Sequence, residues 1–205
     1  MVKLIGPKKV RTAVFISGTG SNLKNLIKFS LKKFSPIKVS LIVSNNTAFS
    51  GGGVHFIDGN NTISNCKIIS NNAIANPNDY ALGGGGISGS GRMIINNSEI
   101  LGNETDGYGG GIALTNPGNT IEISNTLVAN NIAKKGGGVF LNHVRSDLNN
   151  VTIANNISRT IDNTDLEINI NDYGAGIYDL GNDETYIYNS IIWGNKSEKI
   201  DSDGT

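Results

Sequence analysis

Two stretches decide the fold: Ile123-Ser-Asn-Thr-Leu-Val-Ala-Asn-Asn131 and, 25 residues on, Leu148-Asn-Asn-Val-Thr-Ile-Ala-Asn-Asn156. Both read apolar-x-Asn-x-x-(Ile/Val)-x-x-Asn. The same word stands at Ile63–Asn71, Ile95–Asn103 and Ile187–Asn195. Each copy begins 11 to 14 residues after the first glycine of a Gly-Gly-Gly-(Val/Ile) word or its variant, at Gly51–Val54, Gly84–Ile87, Gly109–Ile112, Gly136–Val139 and Gly174–Ile177. The glycine words are spaced by 33, 25, 27 and 38 residues, so the basic period is 25 and two coils carry insertions. A period of that size, built from short β segments and polar turns without a helical pattern, predicts a mainly β chain wound as a right-handed parallel β-helix of about five to six coils.

Each coil is expected to supply three strands: the glycine-word strand, the Ile-x-Asn strand and the Ile-x-x-Asn strand. Stacking coil on coil at about 4.8 Å sets like side chains above one another. Ile68, Ile100, Val128, Ile153 and Ile192 then form an internal apolar column. Asn71, Asn103, Asn131, Asn156 and Asn195 form a ladder at a corner, where an amide can donate and accept at once. The Leu-x-x-Leu-x-Leu pattern of leucine-rich repeats is absent.

Composition agrees with this reading. Glycine (27) and asparagine (30) fill 57 of 205 positions, far above ordinary usage. A single cysteine, Cys66, excludes an internal disulfide framework, and no apolar run reaches the roughly 18 residues of a membrane span. The net charge of zero hides a division: residues 1–46 carry nine Lys/Arg and no acid, and 47–205 carry eight basic and seventeen acidic residues. Two segments are therefore expected, 1–46 and 47–205. The basic arm lacks the Arg content and interleaved aromatics of a nucleic-acid binder, so no nucleic-acid partner is expected.

Within the first segment, Ala13–Ile16 reads as a strand, Leu23 to Phe34 as an amphipathic helix, and Ile37–Val43 as a second strand after Pro36. The apolar run Thr12–Ser17 is shorter than the 7–15 residues of a secretory signal, and none is expected. The words Val14-Phe-Ile-Ser-Gly-Thr-Gly-Ser-Asn-Leu23 and Ile42-Val-Ser-Asn-Asn46 resemble the opening of phosphoribosylglycinamide formyltransferases. That resemblance covers residues 10–46 and implies phosphate binding at Gly18, Gly20, Ser21 and Asn22, as a Gly-rich turn opening a helix would offer. The family's catalytic Asn, its His-Pro-Ser-Leu-Leu-Pro stretch and its later Asp have no counterpart here, since the two histidines are His55 and His143. Formyl transfer lacks its proton-transfer group and folate pocket, and this reading stands as the alternative.

The glycine triplets with the Ile-x-x-Asn words resemble the repeats of polymorphic outer-membrane proteins and related bacterial β-helix surface proteins, over about 150 residues. This implies a non-catalytic envelope or surface module, structural or adhesin-like, with a carbohydrate or cell-surface partner and an extracellular location. No cofactor and no metal site is expected. A carbohydrate-active β-helix, a further alternative, needs clustered carboxylates near Arg or Lys. The candidates are Asp79, Asp106 and Asp172 beside Tyr80, Tyr108 and Tyr173, and Asp162, Asp165 and Glu167 near Arg145 or Arg159. The recurring Asp also reads as a turn residue, the two histidines as surface residues in different coils, and Trp193 as a cover for the last coil.

The segments meet in Ile37-Lys-Val-Ser-Leu-Ile-Val-Ser-Asn45, which matches Ile63–Asn71 at an offset of 26. This predicts an extra rung with Ile42 under Ile68 and Asn45 under Asn71, and the Leu23–Phe34 helix as an N-terminal cap on the open end.

Overall fold

The computed structural model describes residues 10–14, 37–74, 83–161, 174–181 and 183–200, and these hold strands and turns with no helix among them. They wind as a solenoid of parallel strands. Four walls line each coil. The glycine wall contains Val54–Phe56, Ile87–Gly89 and Ile177–Asp179, and the second wall Asn60–Ser64, Arg92–Asn96 and Thr185–Tyr188. The third wall contains Lys67–Ile69, Glu99–Leu101 and Ile191–Trp193. Two long strands, Ile112–Ala129 and Val139–Ala154, run through these three walls in the middle coils.

A fourth wall follows the ladder asparagine as a separate six-stranded sheet, from Thr47–Ala48 to Lys196–Ile200. Three strands per coil were expected. The extra strand is two residues long in most coils, Asn72–Ala73 for example, too short for a period of two to show in sequence.

Register fixes the core. Ile63, Ile95, Ile123, Leu148 and Ile187 stack in the second wall. In the third, Val43, Ile68, Ile100, Val128, Ile153 and Ile192 stack in one column. Ile68 through Ile153 are at most 1% exposed. Because the side-chain period of a strand is two, the intervening residues face outward.

The corners explain the asparagine richness. Asn65, Asn97, Asn125, Asn150 and Asn189 turn the chain from second to third wall with φ between 48° and 55°. Asparagine tolerates this left-handed region better than any residue except glycine. A second left-handed position, Ser70, Gly102, Asn130, Asn155 and Gly194, precedes each ladder asparagine.

That second position corrects the junction. Val43, not Ile42, lies under Ile68, and Asn46 takes the ladder place under Asn71, an offset of 25. A slip of one residue exchanges the faces of a strand. The turn decides between the two registers, since Asn45 (φ 56°) supplies the left-handed residue where the expected register would put Ser44. Strand Ile37–Ser44 pairs with Val10–Val14 through residues 37–41 and joins the solenoid through 42–44, so the rung begins before residue 46. The turn Gly18–Asn22 and the segment Leu23–Phe34 lie outside the described residues.

Candidate functional site

The repeated words are used up inside. Each ladder Oδ1 accepts the backbone N–H and the Nδ2 of the asparagine one coil earlier, at 2.9 and 3.0 Å for Asn131 receiving from Asn103. Each Nδ2 also donates back to a third-wall carbonyl of the previous coil, as Asn131 does to Ile100 at 3.0 Å. The same pattern holds from Asn71 to Asn195. Asn71, Asn103, Asn131 and Asn156 are at most 1% exposed, so every amide group buried here has its partner.

The third glycine of each triplet makes room for the ladder. A Cβ on Gly111 would stand 3.0 Å from Asn131 Nδ2, 3.0 Å from Val128 Cγ1 and 2.6 Å from the Gly138 carbonyl oxygen. Glycine triplet and asparagine form one packing device.

A hydroxyl ladder runs down the neighbouring corner, and sequence reading missed it. Ser98 Oγ donates to the Asn96 carbonyl (2.8 Å) and accepts the Cys66 N–H (3.1 Å). Thr126 and Ser190 repeat both roles. The signal was present as small side chains at the fourth place of each word: Cys66, Ser98, Thr126, Val151 and Ser190. Cys66 donates from Sγ to the Ser64 carbonyl at 3.2 Å, and burial raises its thiol pKa above the ordinary value.

What the words leave free is the outer face of the second wall. Three parallel columns stand there: Asn60, Arg92, Thr120, Arg145; then Thr62, Ile94, Glu122, Asp147, Tyr186; then Ser64, Asn96, Ser124, Asn149, Tyr188. Arg92 Nη2 donates to Glu122 Oε1 at 2.6 Å. The Arg145 guanidinium lies 5.8 Å from the Tyr186 ring centroid, and Tyr186 and Tyr188 stack at 6.2 Å with nearly parallel planes. Tyr186 donates its hydroxyl to Glu184 Oε2 at 2.5 Å, and that hydrogen bond holds its pKa above the usual phenol value. Arg92, Thr120, Glu122, Arg145 and Asp147 line a shallow open groove. This face offers ion-pairing groups, hydrogen-bonding groups and flat aromatic surface side by side.

A charged strip crosses the fourth wall. Arg159 reaches Glu104 (3.3 Å) and Glu198 (3.7 Å), and Lys196 binds Glu198 at 2.5 Å. The Lys196 hydrogen bond leads in drawing the Glu198 pKa below its ordinary value, with Arg159 adding to it.

Among the described residues the other sequence candidates stand apart. Arg145 and Arg159 stand on different walls. Asp79, Asp172, Tyr80, Tyr173, Asp162, Asp165 and Glu167 lie outside the described residues, as do Gly18, Gly20, Ser21 and Asn22. Asp106 is an exposed turn residue, and its neighbour Tyr108 stacks on buried Phe140 at 4.8 Å, a packing role. His55 and His143 are exposed in separate coils. Trp193 is 68% exposed on the outer face of the third wall. Among the described residues no three His, Cys, Asp or Glu cluster in a way that could hold a metal ion, and no helix is long and apolar enough to cross a membrane. Compared with protein-family models, curated proteins and solved structures, the chain has no match.

Proposed function

We propose that this chain is a non-catalytic right-handed β-helix repeat protein that serves as a structural or adhesin-like binding module at a cell surface, with the outer face of the second wall as its contact surface for carbohydrate. One observation carries this reading: the repeated residues are spent on internal ladders, whereas the outward residues of the second wall differ from rung to rung and bring Arg92, Glu122, Arg145, Asp147, Tyr186 and Tyr188 onto one flat face. Parallel aromatic rings beside charged groups suit the apolar face and the hydroxyls of a sugar. Right-handed winding is what a crossover between parallel strands prefers.

The test is a panel of neutral and acidic oligosaccharides measured by calorimetry against the full chain. Binding that weakens at least tenfold in Tyr188→Ala and in Arg145→Ala supports the reading. Cleavage of a bound oligosaccharide, or binding indifferent to both substitutions, rules it out.

A further inference from the structure

Arg92 and Arg145 stand in one outward column of the second wall, two rungs apart, with Thr120 between them. At the ordinary rung spacing their strands are separated by roughly 10 Å. A short side chain between two long ones leaves a slot over Thr120, and this slot is the groove of the second wall. It holds about 350 Å³, at the small end of ligand sites, which suits a single sugar ring.

The two arginines differ in what they hold. Arg92 is tied to Glu122 at 2.6 Å, so that side of the slot carries no net charge. Arg145 has neither a hydrogen-bond acceptor nor an ion-pair partner among the described residues, and its guanidinium lies 5.8 Å from the Tyr186 ring centroid. An aromatic face steadies a guanidinium without using its N–H groups, which stay available to an acceptor. Tyr186 is itself fixed on two sides, by the stack on Tyr188 and by the hydrogen bond to Glu184. The cation is therefore in place before a ligand arrives, which lowers the ordering cost of binding. Asp147, the next outward residue of the same strand, is exposed and accepts no hydrogen bond among the described residues. One fork of donors without an acceptor and one carboxylate without a donor thus sit at neighbouring outward positions.

We infer that the sugar selected by this slot is a uronic acid, its carboxylate held by both edges of the Arg145 fork and a ring hydroxyl donating to Asp147. The inference rests on the reading of the second wall as a carbohydrate surface. A neutral sugar offers single hydroxyl oxygens, whereas a carboxylate offers two coplanar oxygens at the spacing of the guanidinium N–H groups, and charge-assisted bonds of this kind are roughly twice as strong as neutral ones. Tyr186 acts as a positioning residue for Arg145. Arg92, already paired, shapes the slot without choosing the ligand.

Calorimetry on the full chain tests this with oligomers of β-linked glucuronic acid, their methyl esters, and the glucose oligomers that differ from them only in lacking the carboxylate. A second series of α-linked galacturonic acid, its esters and galactose oligomers covers the other ring geometry. In at least one series the acid should bind about tenfold or more tightly than its ester and its neutral counterpart. Added salt should shrink that preference and leave neutral binding unchanged. Arg145→Lys keeps the charge but loses the fork, and should abolish most of the preference, whereas Arg92→Lys should keep it. Tyr186→Leu should reduce the preference and Tyr186→Phe, which retains the ring, should not. All four changes fall at outward positions and leave the core untouched. Equal binding of acid and ester, both lost in Tyr188→Ala, overturns the inference and leaves the carbohydrate reading standing. A preference that survives Arg145→Lys overturns it too. Acids that fail to bind in both series overturn it as well, and the carbohydrate reading falls with it where esters and neutral oligomers are also silent.

Discussion

Ile153 and Ile192 occupy the same place in the same word one coil apart, yet the first is 1% exposed and the second 48%. The difference teaches that a repeat word has no fixed energetic value. A coil's inward residues are buried by the coils on both sides, so the word is worth most in the middle of the stack and least at an end with one neighbour. Ladder residues follow the same rule, since Asn131 has asparagine partners on both sides and Asn195 on one.

The sharpest way to break this comparison is the pair Ile153→Asp and Ile192→Asp. At residue 153 an unpaired carboxylate would be enclosed between Val128 and Ile192, and stability should fall by more than about 4 kcal/mol, enough to unfold the array. At residue 192 water reaches the new charge, and the loss should stay below about 2 kcal/mol. Denaturant unfolding of both variants decides the matter. Similar midpoints for the two would mean that the last coil is covered and that the open end is wrong.

Asn131→Ala against Asn195→Ala sharpens the same contrast with polar groups. Removing the Asn131 amide strands the Asn103 N–H and Nδ2 and takes a donor from the Ile100 carbonyl in a dry corner, while Asn156 Oδ1 keeps the backbone N–H of residue 131, and the loss should be about 3 kcal/mol. At Asn195 the stranded groups belong to one coil and sit beside solvent, so about 1 kcal/mol is expected. Hydrogen exchange at the Asn103 and Asn156 amides should rise in the corresponding variant and report which group lost its acceptor.

Much of this contrast was legible in the sequence and part of it was not, for reasons of length. The solenoid and the asparagine ladder could be read because the nine-residue word spans a corner and two walls, and five copies of it in order fix both period and face. The fourth wall could not, since two residues such as Ile132–Ala133 carry no periodicity. The junction register slipped by one because Asn45 and Asn46 stand together, and a template of apolar residues and asparagines cannot choose between them. Only the left-handed turn before each ladder asparagine does, and φ is not written in a pattern. The outer face of the second wall was also illegible: Arg92, Glu122 and Tyr186 occupy no shared place in any word, and become neighbours only when register stacks their strands.

Outward side chains should be indifferent to the number of neighbouring coils, and Tyr186 in the last coil tests that limit with the smallest effect. Its hydroxyl donates to the Glu184 carboxylate, a bond that exists only while the phenol keeps its proton, so the folded pKa lies above the unfolded one. A raised pKa means a contribution that is complete below the unfolded value, about 10 for tyrosine, and is lost as pH climbs through the folded value. Stability should therefore decline slightly faster at strongly alkaline pH in the unaltered protein than in Glu184→Ala, while the two keep equal pH dependence from neutrality to mildly alkaline conditions. The phenolate absorbance of Tyr186, isolated by difference from Tyr186→Phe, should move down in pH in Glu184→Ala. An unmoved titration would place the Tyr186 hydroxyl away from Glu184 and detach the tyrosine pair from the charged face of the second wall.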